Sequence, residues 1–154
     1  MGHKVAIVMG SKSDAPVMEA AAEVLEQFGI EHEVYVASAH RSPKRAAELA
    51  SGAAEAGFEV IIAGAGGAAH LPGVIASLTP LPVIGVPIKT EALGGLDSLL
   101  SIVQMPSGVP VAAVAINGAK NAGILAAQII GASDPEVRRR VAHYKEMLAE
   151  QVTK

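Results

Sequence analysis

Three short stretches hold residues able to do chemistry. Ser38-Ala39-His40-Arg41-Ser42-Pro43 places two hydroxyls, an imidazole and a guanidinium side by side. Hydroxyls, a guanidinium and the free amides of a helix start together hold a phosphate. His40 is then left over, and imidazole is the side-chain type that ordinarily changes charge near neutral pH. The hexapeptide therefore reads as an anion-anchoring loop that carries a proton-transfer residue. Gly10-Ser11-Lys12-Ser13-Asp14 is a small polar turn in which Ser11 and Ser13 can donate to a phosphate. A carboxylate repels phosphate, so Asp14 is assigned to another part of the ligand, for which a ribose diol is the natural partner. Taken alone, this turn is more simply explained by Ser13 or Asp14 capping a helix. It is not a P-loop, because the Gly-Lys-Ser/Thr ending is missing.

The third stretch, Gly64-Ala65-Gly66-Gly67-Ala68-Ala69, leads into His70. It matches the dinucleotide pattern G-x-G-x-x-G/A, but that fingerprint belongs to the first strand-turn-helix and needs an acid at the end of the next strand. Here the next strand ends in Val86-Pro87. Glycines that clear space for a flat ligand explain the loop better, with Gly66, Gly67 and Ala68 as the backbone that approaches it. For His70, a hydrogen bond that orders the loop and a part in the chemistry stand equally open. Two imidazoles on adjacent loops would need a third ligand to hold a metal. Asp14 is the only candidate, and no pair has the i, i+4 spacing of a helical zinc site. No metal is expected. His3, His32 and His143 read as surface residues, and Arg138-Arg139-Arg140 as a solvated helix face. There is no G-x-S-x-G elbow and no cysteine, so covalent catalysis is not suggested.

The elements that must position these stretches alternate. Val5 to Met9 is a continuous apolar run, as in a buried parallel strand. A helix from about Ala15 to Phe28 follows, ended by Gly29. Strand two spans Glu33 to Ala37, and an alanine-rich helix runs from Lys44 to Ala56. Strand three is Val60 to Ala63, with a short helix from His70 through Leu78. Strand four is Val83 to Val86, followed by an irregular segment, Ile88 to Gly95, expected to be mobile. A helix over Leu96 to Met105 comes next. Strand five is Val111 to Ile116, and a helix runs from Lys120 to Ile130. Ser133-Asp134-Pro135-Glu136 is a capping-box pattern that opens a last helix over about 134–152. Strand-helix alternation repeated five times predicts a three-layer parallel α/β fold with the flavodoxin-like strand order 2-1-3-4-5. In that order the carboxyl ends of strands one, two and three bring all three stretches together. The whole chain, 1–154, reads as a single catalytic domain. The extra C-terminal helix carries Val137, Val141, Tyr144, Leu148 and Val152 at heptad-like spacing. It is expected to pack on a neighbouring subunit, the alternative being its own sheet.

Composition narrows the function. With a net charge of -3 and no long basic run, nucleic acid is not expected as a partner. Absence of cysteine excludes a disulfide framework and fits the cytoplasm. The apolar tract from Val60 to Leu78 approaches membrane-spanning length, but its glycines, His70 and Pro72 make it a strand plus a loop, so no membrane association is expected. A phosphate anchor, a diol-binding acid, a glycine cradle and one or two histidines together describe proton-transfer chemistry on a ribonucleotide.

The motifs Val5-Ala6-Ile7-Val8-Met9-Gly10-Ser11-Lys12-Ser13-Asp14, Ser38-Ala39-His40-Arg41-Ser42-Pro43, Ala63-Gly64-Ala65-Gly66-Gly67-Ala68-Ala69-His70-Leu71-Pro72-Gly73 and Asp97-Ser98-Leu99-Leu100-Ser101-Ile102-Val103-Gln104-Met105-Pro106 closely resemble the class I 5-(carboxyamino)imidazole ribonucleotide mutase family of purine biosynthesis. The resemblance implies transfer of a carboxylate from the exocyclic nitrogen of 5-carboxyaminoimidazole ribonucleotide to the neighbouring ring carbon, without metal, ATP or organic cofactor. It implies substrate-binding roles for Ser11, Asp14 and Arg41 and a general acid/base role for His40. The glycine loop and His70 would line the pocket around the base and the migrating carboxylate. It also implies a homo-octamer with sites at subunit junctions. Ser13 and Ser38 are added to the substrate-binding set from their place in the two polar turns.

Two alternatives stand beside it. The class II sister, aminoimidazole ribonucleotide carboxylase, takes free carbon dioxide and follows its histidine loop with Lys-Gly-Pro, where this chain has Arg41-Ser42-Pro43. A non-catalytic flavodoxin-like module binding FMN or another phosphate ligand would leave His40 without a role. The junction Ala115-Ile116-Asn117-Gly118-Ala119-Lys120 is shorter than in some members.

Overall fold

The computed structural model describes residues 2–153. Five parallel strands form one sheet in the order β2-β1-β3-β4-β5. They are β1 (Lys4–Met9), β2 (Glu31–Val36), β3 (Val60–Gly66), β4 (Val83–Ile88) and β5 (Ala112–Ala113). Between and after them come α1 (Ala15–Gln27), α2 (Pro43–Gly52), α3 (Leu71–Leu78), α4 (Leu96–Val103), α5 (Ala119–Gly131) and α6 (Pro135–Thr153). This is the flavodoxin-like order anticipated from the alternation of apolar runs and helical patterns.

Period-two alternation sends each strand's side chains to opposite faces. Val5, Ile7 and Met9 meet Met18, Leu25 and Ala126 from α1 and α5. Ala6 and Val8 face Ala46, Ala50 and Ile75 from α2 and α3 on the other side, where Ile102 of α4 also packs. Strands β1, β3 and β4 are apolar on both faces because both are covered. Ile7, Ile62 and Ile84 have no exposure at all, and burying a side chain of this size is worth about 1.5–3 kcal/mol.

Several boundaries differ from expectation. Strand three runs on to Gly66 and strand four to Ile88, so the first glycines are sheet and not loop. Helix α2 stops at Gly52, short of Ala56. The fifth strand is only Ala112–Ala113, paired with Ile84 and Gly85, not Val111 to Ile116. It lies at the sheet edge with a partner on one side only, and no second neighbour holds it extended. The chain still follows β4, through Val114 N–H to Gly85 O and Asn117 N–H to Pro87 O. Asn117 then takes a left-handed backbone, φ 60°, and its Oδ1 accepts the Lys89 N–H.

The first half of α6 folds back onto its own subunit, with Val137 and Val141 buried and Tyr144 edge-on to Phe28. Beyond them Met147, Leu148 and Val152 are exposed. His3 is also not the surface residue expected from its position. Its Nδ1 lies 2.6 Å from Glu59 Oε1 and its Nε2 2.5 Å from Asp134 Oδ2. Asp134 Oδ1 meanwhile accepts the Glu136 N–H at the start of α6. The imidazole thus ties the start of the last helix to the residue before β3. His32 is half-buried, while His143 is exposed as expected.

The hydrogen bonds from Asp134 first and Glu59 second raise the His3 pKa above the ordinary 6.5. The bond from His3 holds Asp134 below the ordinary 3.8. A raised imidazole contributes stability that is complete below 6.5 and fades as pH rises through its folded value. A lowered carboxylate contributes above 3.8 and fades as pH falls through its folded value. The destabilisation caused by His3→Gln is therefore expected to be greatest between these two values and to shrink on the alkaline side. Urea unfolding across pH checks it, and a difference that does not shrink on the alkaline side would contradict the linkage.

Candidate active site

Strands β1, β2 and β3 end level with one another. Met9 pairs with Val36 on one side and Gly64 on the other, and Ala37 N–H and Gly10 N–H continue the ladders to Met9 O and Gly64 O. The three polar stretches leave the sheet at this edge and enclose a cleft of about 280 Å³. Ser11, Ser13, Asp14, Ser38, His40, Arg41, Gly66, Ala68 and His70 all line it. Gly67, also named from the sequence, does not. Gly10, Ala39, Ala65 and Leu71 line it without having been singled out, their apolar or backbone surface carrying no chemical signal in the sequence.

After β1 the chain makes a 3-10 turn over Lys12–Asp14, with Ser11 as its cap. Ser11 Oγ accepts the Ser13 N–H and lies 2.9 Å from Ser13 Oγ. The two hydroxyls that can donate to a phosphate are therefore adjacent. Asp14 stands at the N-cap position of α1, but its side chain makes no cap hydrogen bond. The capping explanation of this residue is thereby weakened, and its carboxylate is available to a ligand. Burial raises its pKa above the ordinary range, while the Ser11 backbone and the Arg41 charge partly offset this. Folding thus disfavours the charge, so Asp14 subtracts from stability as pH rises through its carboxylate range. Asp14→Asn is expected to melt no lower than the parent at pH 7, yet to raise the substrate KM by about tenfold or more, the usual worth of a charged hydrogen bond. A lower melting temperature with unchanged KM would instead make Asp14 a structural residue.

After β2 the loop 38–42 is held by its own hydroxyls. Ser42 Oγ accepts the Ser38 N–H and donates to Ser38 O. Ser38 Oγ accepts from Arg41 N and Arg41 Nε. Arg41 Nη2 donates to Gly10 O at 3.1 Å, which joins the second loop to the first. Pro43 then opens α2, where its missing N–H is no loss. His40 points across to the third loop. Its Nε2 lies 2.8 Å from His70 Nδ1, with the rings nearly perpendicular at 84°. One nitrogen donates and the other accepts, so a single hydrogen bond joins two exposed imidazoles. Of the two roles open for His70, this contact satisfies the hydrogen-bonding one and reaches the proton-transfer candidate as well.

Among the described residues no group of three or more His, Cys, Asp or Glu is arranged to hold a metal ion. A larger, more apolar groove of about 610 Å³ lies elsewhere, between α6 and the end of α1. Its lining holds Lys120, Arg139, Arg140 and His143 but no carboxylate and no second imidazole, so the smaller cleft is the candidate site.

Fold and cleft define a doubly wound α/β protein with a hydroxyl-bearing turn beside a hydrogen-bonded histidine pair. Residues 4–151 match the family model of AIR carboxylase. The N5-carboxyaminoimidazole ribonucleotide mutase of Thermotoga maritima is 65% identical, over 97% of this chain and 87% of its own. The protein of the same name from Pyrococcus horikoshii is 62% identical, over 96% of this chain and 84% of its own. The crystal structure of Treponema denticola PurE superposes with a TM-score of 0.88 at 31% identity, covering 97% of this chain and 94% of that one. This chain belongs to the AIR carboxylase family.

Proposed function

We propose that this protein is an N5-carboxyaminoimidazole ribonucleotide mutase of purine biosynthesis, an isomerase that moves a carboxylate from the exocyclic nitrogen to the neighbouring ring carbon. Identity above 60% over nearly the whole chain to proteins of that name supports the activity. The observation that carries the mechanism is the 2.8 Å contact between His40 and His70 inside a cleft that also holds Asp14 and Arg41.

Ser11, Ser13, Ser38 and Arg41 hold the phosphate, and Asp14 holds the ribose diol. Gly66 and Ala68 pass beside the imidazole ring of the substrate, with Gly67 behind them outside the cleft. His40, as imidazolium, protonates the exocyclic nitrogen as the nitrogen–carboxylate bond breaks, which gives the amine and carbon dioxide. The ring carbon then attacks carbon dioxide, and the neutral His40 removes the proton from that carbon to restore the aromatic ring. One proton leaves the histidine and one returns, so no cofactor is consumed. His70 hands off or fixes the shared proton. Carbon dioxide must not escape between the steps, which requires a closed pocket. The glycine loop and the Lys89–Gly95 turns supply the closure.

The enzyme acts as one catalytic domain per subunit in a cytoplasmic homo-octamer. Exposed Met147, Leu148 and Val152 on the far half of α6, and Leu93, Leu96 and Leu100 around α4, are apolar surface for neighbouring subunits. No helix among the described residues is long and apolar enough to cross a membrane.

The test is ultraviolet detection of 4-carboxy-5-aminoimidazole ribonucleotide after mixing with 5-carboxyaminoimidazole ribonucleotide, with chelator present and ATP absent. Formation well above that from aminoimidazole ribonucleotide plus bicarbonate is expected. No formation by the folded protein would overturn the mutase, and equal rates from both substrates would transfer it to the carboxylase.

A further inference from the structure

Gly67 is the one sequence-selected residue turned away from the cleft, and its surroundings give it another use. Its backbone is left-handed, φ +66°, which glycine alone adopts without strain. Its N–H donates to Ser98 Oγ at 2.9 Å. The Ser98 hydroxyl spends its single proton on Ile88 O at 2.6 Å, so its rotor is fixed and it can only accept from Gly67. Ser98 is fully buried, the only polar side chain among the buried residues described. On the opposite side of the same glycine, Ser101 Oγ donates to Asp97 O of its own helix at 2.8 Å and lies 3.3 Å from Gly67 O. Helix α4 therefore holds Gly67 by its N–H through Ser98, with the Ser101 hydroxyl beside its C=O.

That grip is transmitted to the chemistry through a short path. Gly67 O also accepts the Ala69 N–H, and Ala68 O accepts the His70 N–H. The three residues after Gly67 are thus wound from it, and His70 at their end meets His40. The Ser98 hydroxyl additionally pins Ile88, the last residue of β4 and the start of the Lys89–Gly95 turns. Two segments that must close on the reacting carboxylate converge on one hydroxyl group.

Resting on the mutase reading, we infer that Ser98 is a positioning residue for the reaction: through Gly67 it sets the height of the glycine loop and of His70, and through Ile88 it registers the neighbouring turns. It touches no substrate. Substrate anchoring at Ser11, Asp14 and Arg41 does not depend on it, so its loss acts on the step and not on binding.

The experiment compares Ser98→Ala with the parent and with Ile102→Val, which loosens the same helix by a buried methylene without touching the hydroxyl network. Thermal melting, KM, kcat and the fraction of turnovers that end in aminoimidazole ribonucleotide and carbon dioxide are measured for each. Ser98→Ala is expected to keep KM within about threefold and to lose kcat by about 100-fold, the effect of a small misplacement of reacting groups. The escaped carbon dioxide fraction is expected to rise. Ile102→Val should melt lower yet keep kcat and the product ratio. If Ser98→Ala retains kcat and partition, or Ile102→Val loses them equally, the positioning role is overturned. If Ser98→Ala does not fold, Ser98→Cys, which keeps size and a weak donor and acceptor, replaces it and must show the same uncoupling. A parent protein without mutase activity would defeat the underlying reading and not this inference alone.

Discussion

His40→Asn is expected to lower kcat by about 10³-fold or more, in the upper part of the range for a positioned general acid/base, while the nucleotide still binds. The effect is large because one imidazole is assigned two proton transfers in each cycle. Its removal leaves both the breaking nitrogen–carbon bond and the final ring carbon without a partner. Binding should survive because Ser11 and Ser13 are on the turn after β1, and Arg41, although it neighbours His40, is held by its own bonds to Ser38 Oγ and Gly10 O. Asparagine ends short of the Nε2 position that meets His70 Nδ1, but the Ser38–Ser42 and Arg41–Gly10 bonds still hold the loop, so its geometry is preserved while the proton inventory is not. Product-complex affinity by calorimetry and kcat by absorbance separate the two. A kcat within tenfold of the parent would remove His40 from the mechanism, and joint loss of binding with an intact fold would make it a binding residue.

The second large effect is on stability, at the crossing of α1 and α5. Gly123 sits inside α5 and is buried. A Cβ there would stand 2.3 Å from Val24 Cγ1 and 3.0 Å from Ala21 O. Alanine gains about 1 kcal/mol over glycine as a helix former. Overpacking a tight core costs about 1–3 kcal/mol, and here one of the atoms struck is a backbone carbonyl that cannot rotate aside. Overpacking wins, so Gly123→Ala is expected to lose about 1–2 kcal/mol in urea unfolding. Gly123→Ile adds three further carbons at the same contact and is expected to lose more than about 4 kcal/mol, a large share of the about 5–15 kcal/mol that holds a domain folded. An alanine variant as stable as the parent would show that the two helices can separate without penalty.

Much of this architecture was legible because its signals are local. Val5 to Met9 and Val60 to Ala63 are continuous apolar runs between turn residues, and such runs read as buried parallel strands without reference to the rest of the chain. The edge strand was overestimated from Val111 to Ile116, since β-propensity does not report whether a second neighbour exists to pair with. His3 was misjudged for the same kind of reason: its partners Glu59 and Asp134 lie far along the chain, and no local pattern announces them. Gly123 gave no signal either, because the Val24 that excludes a side chain there is on another helix.

The sequence by itself determined the alternation of strands and helices, the glycine and proline boundaries and the residue types available for chemistry, because backbone preference and hydrophobic periodicity act over a few neighbours. From the alternation it also implied which loops share the carboxyl edge. The tertiary structure alone decided which of those residues touch. It brought His40 to 2.8 Å from His70 and turned Gly67 out of the cleft onto Ser98. It also left the Asp14 carboxylate without a cap partner. Those outcomes depend on how the loops settle against α4 and against one another. That is a matter of close packing and of satisfying buried polar groups among residues distant in the chain, which no local pattern encodes.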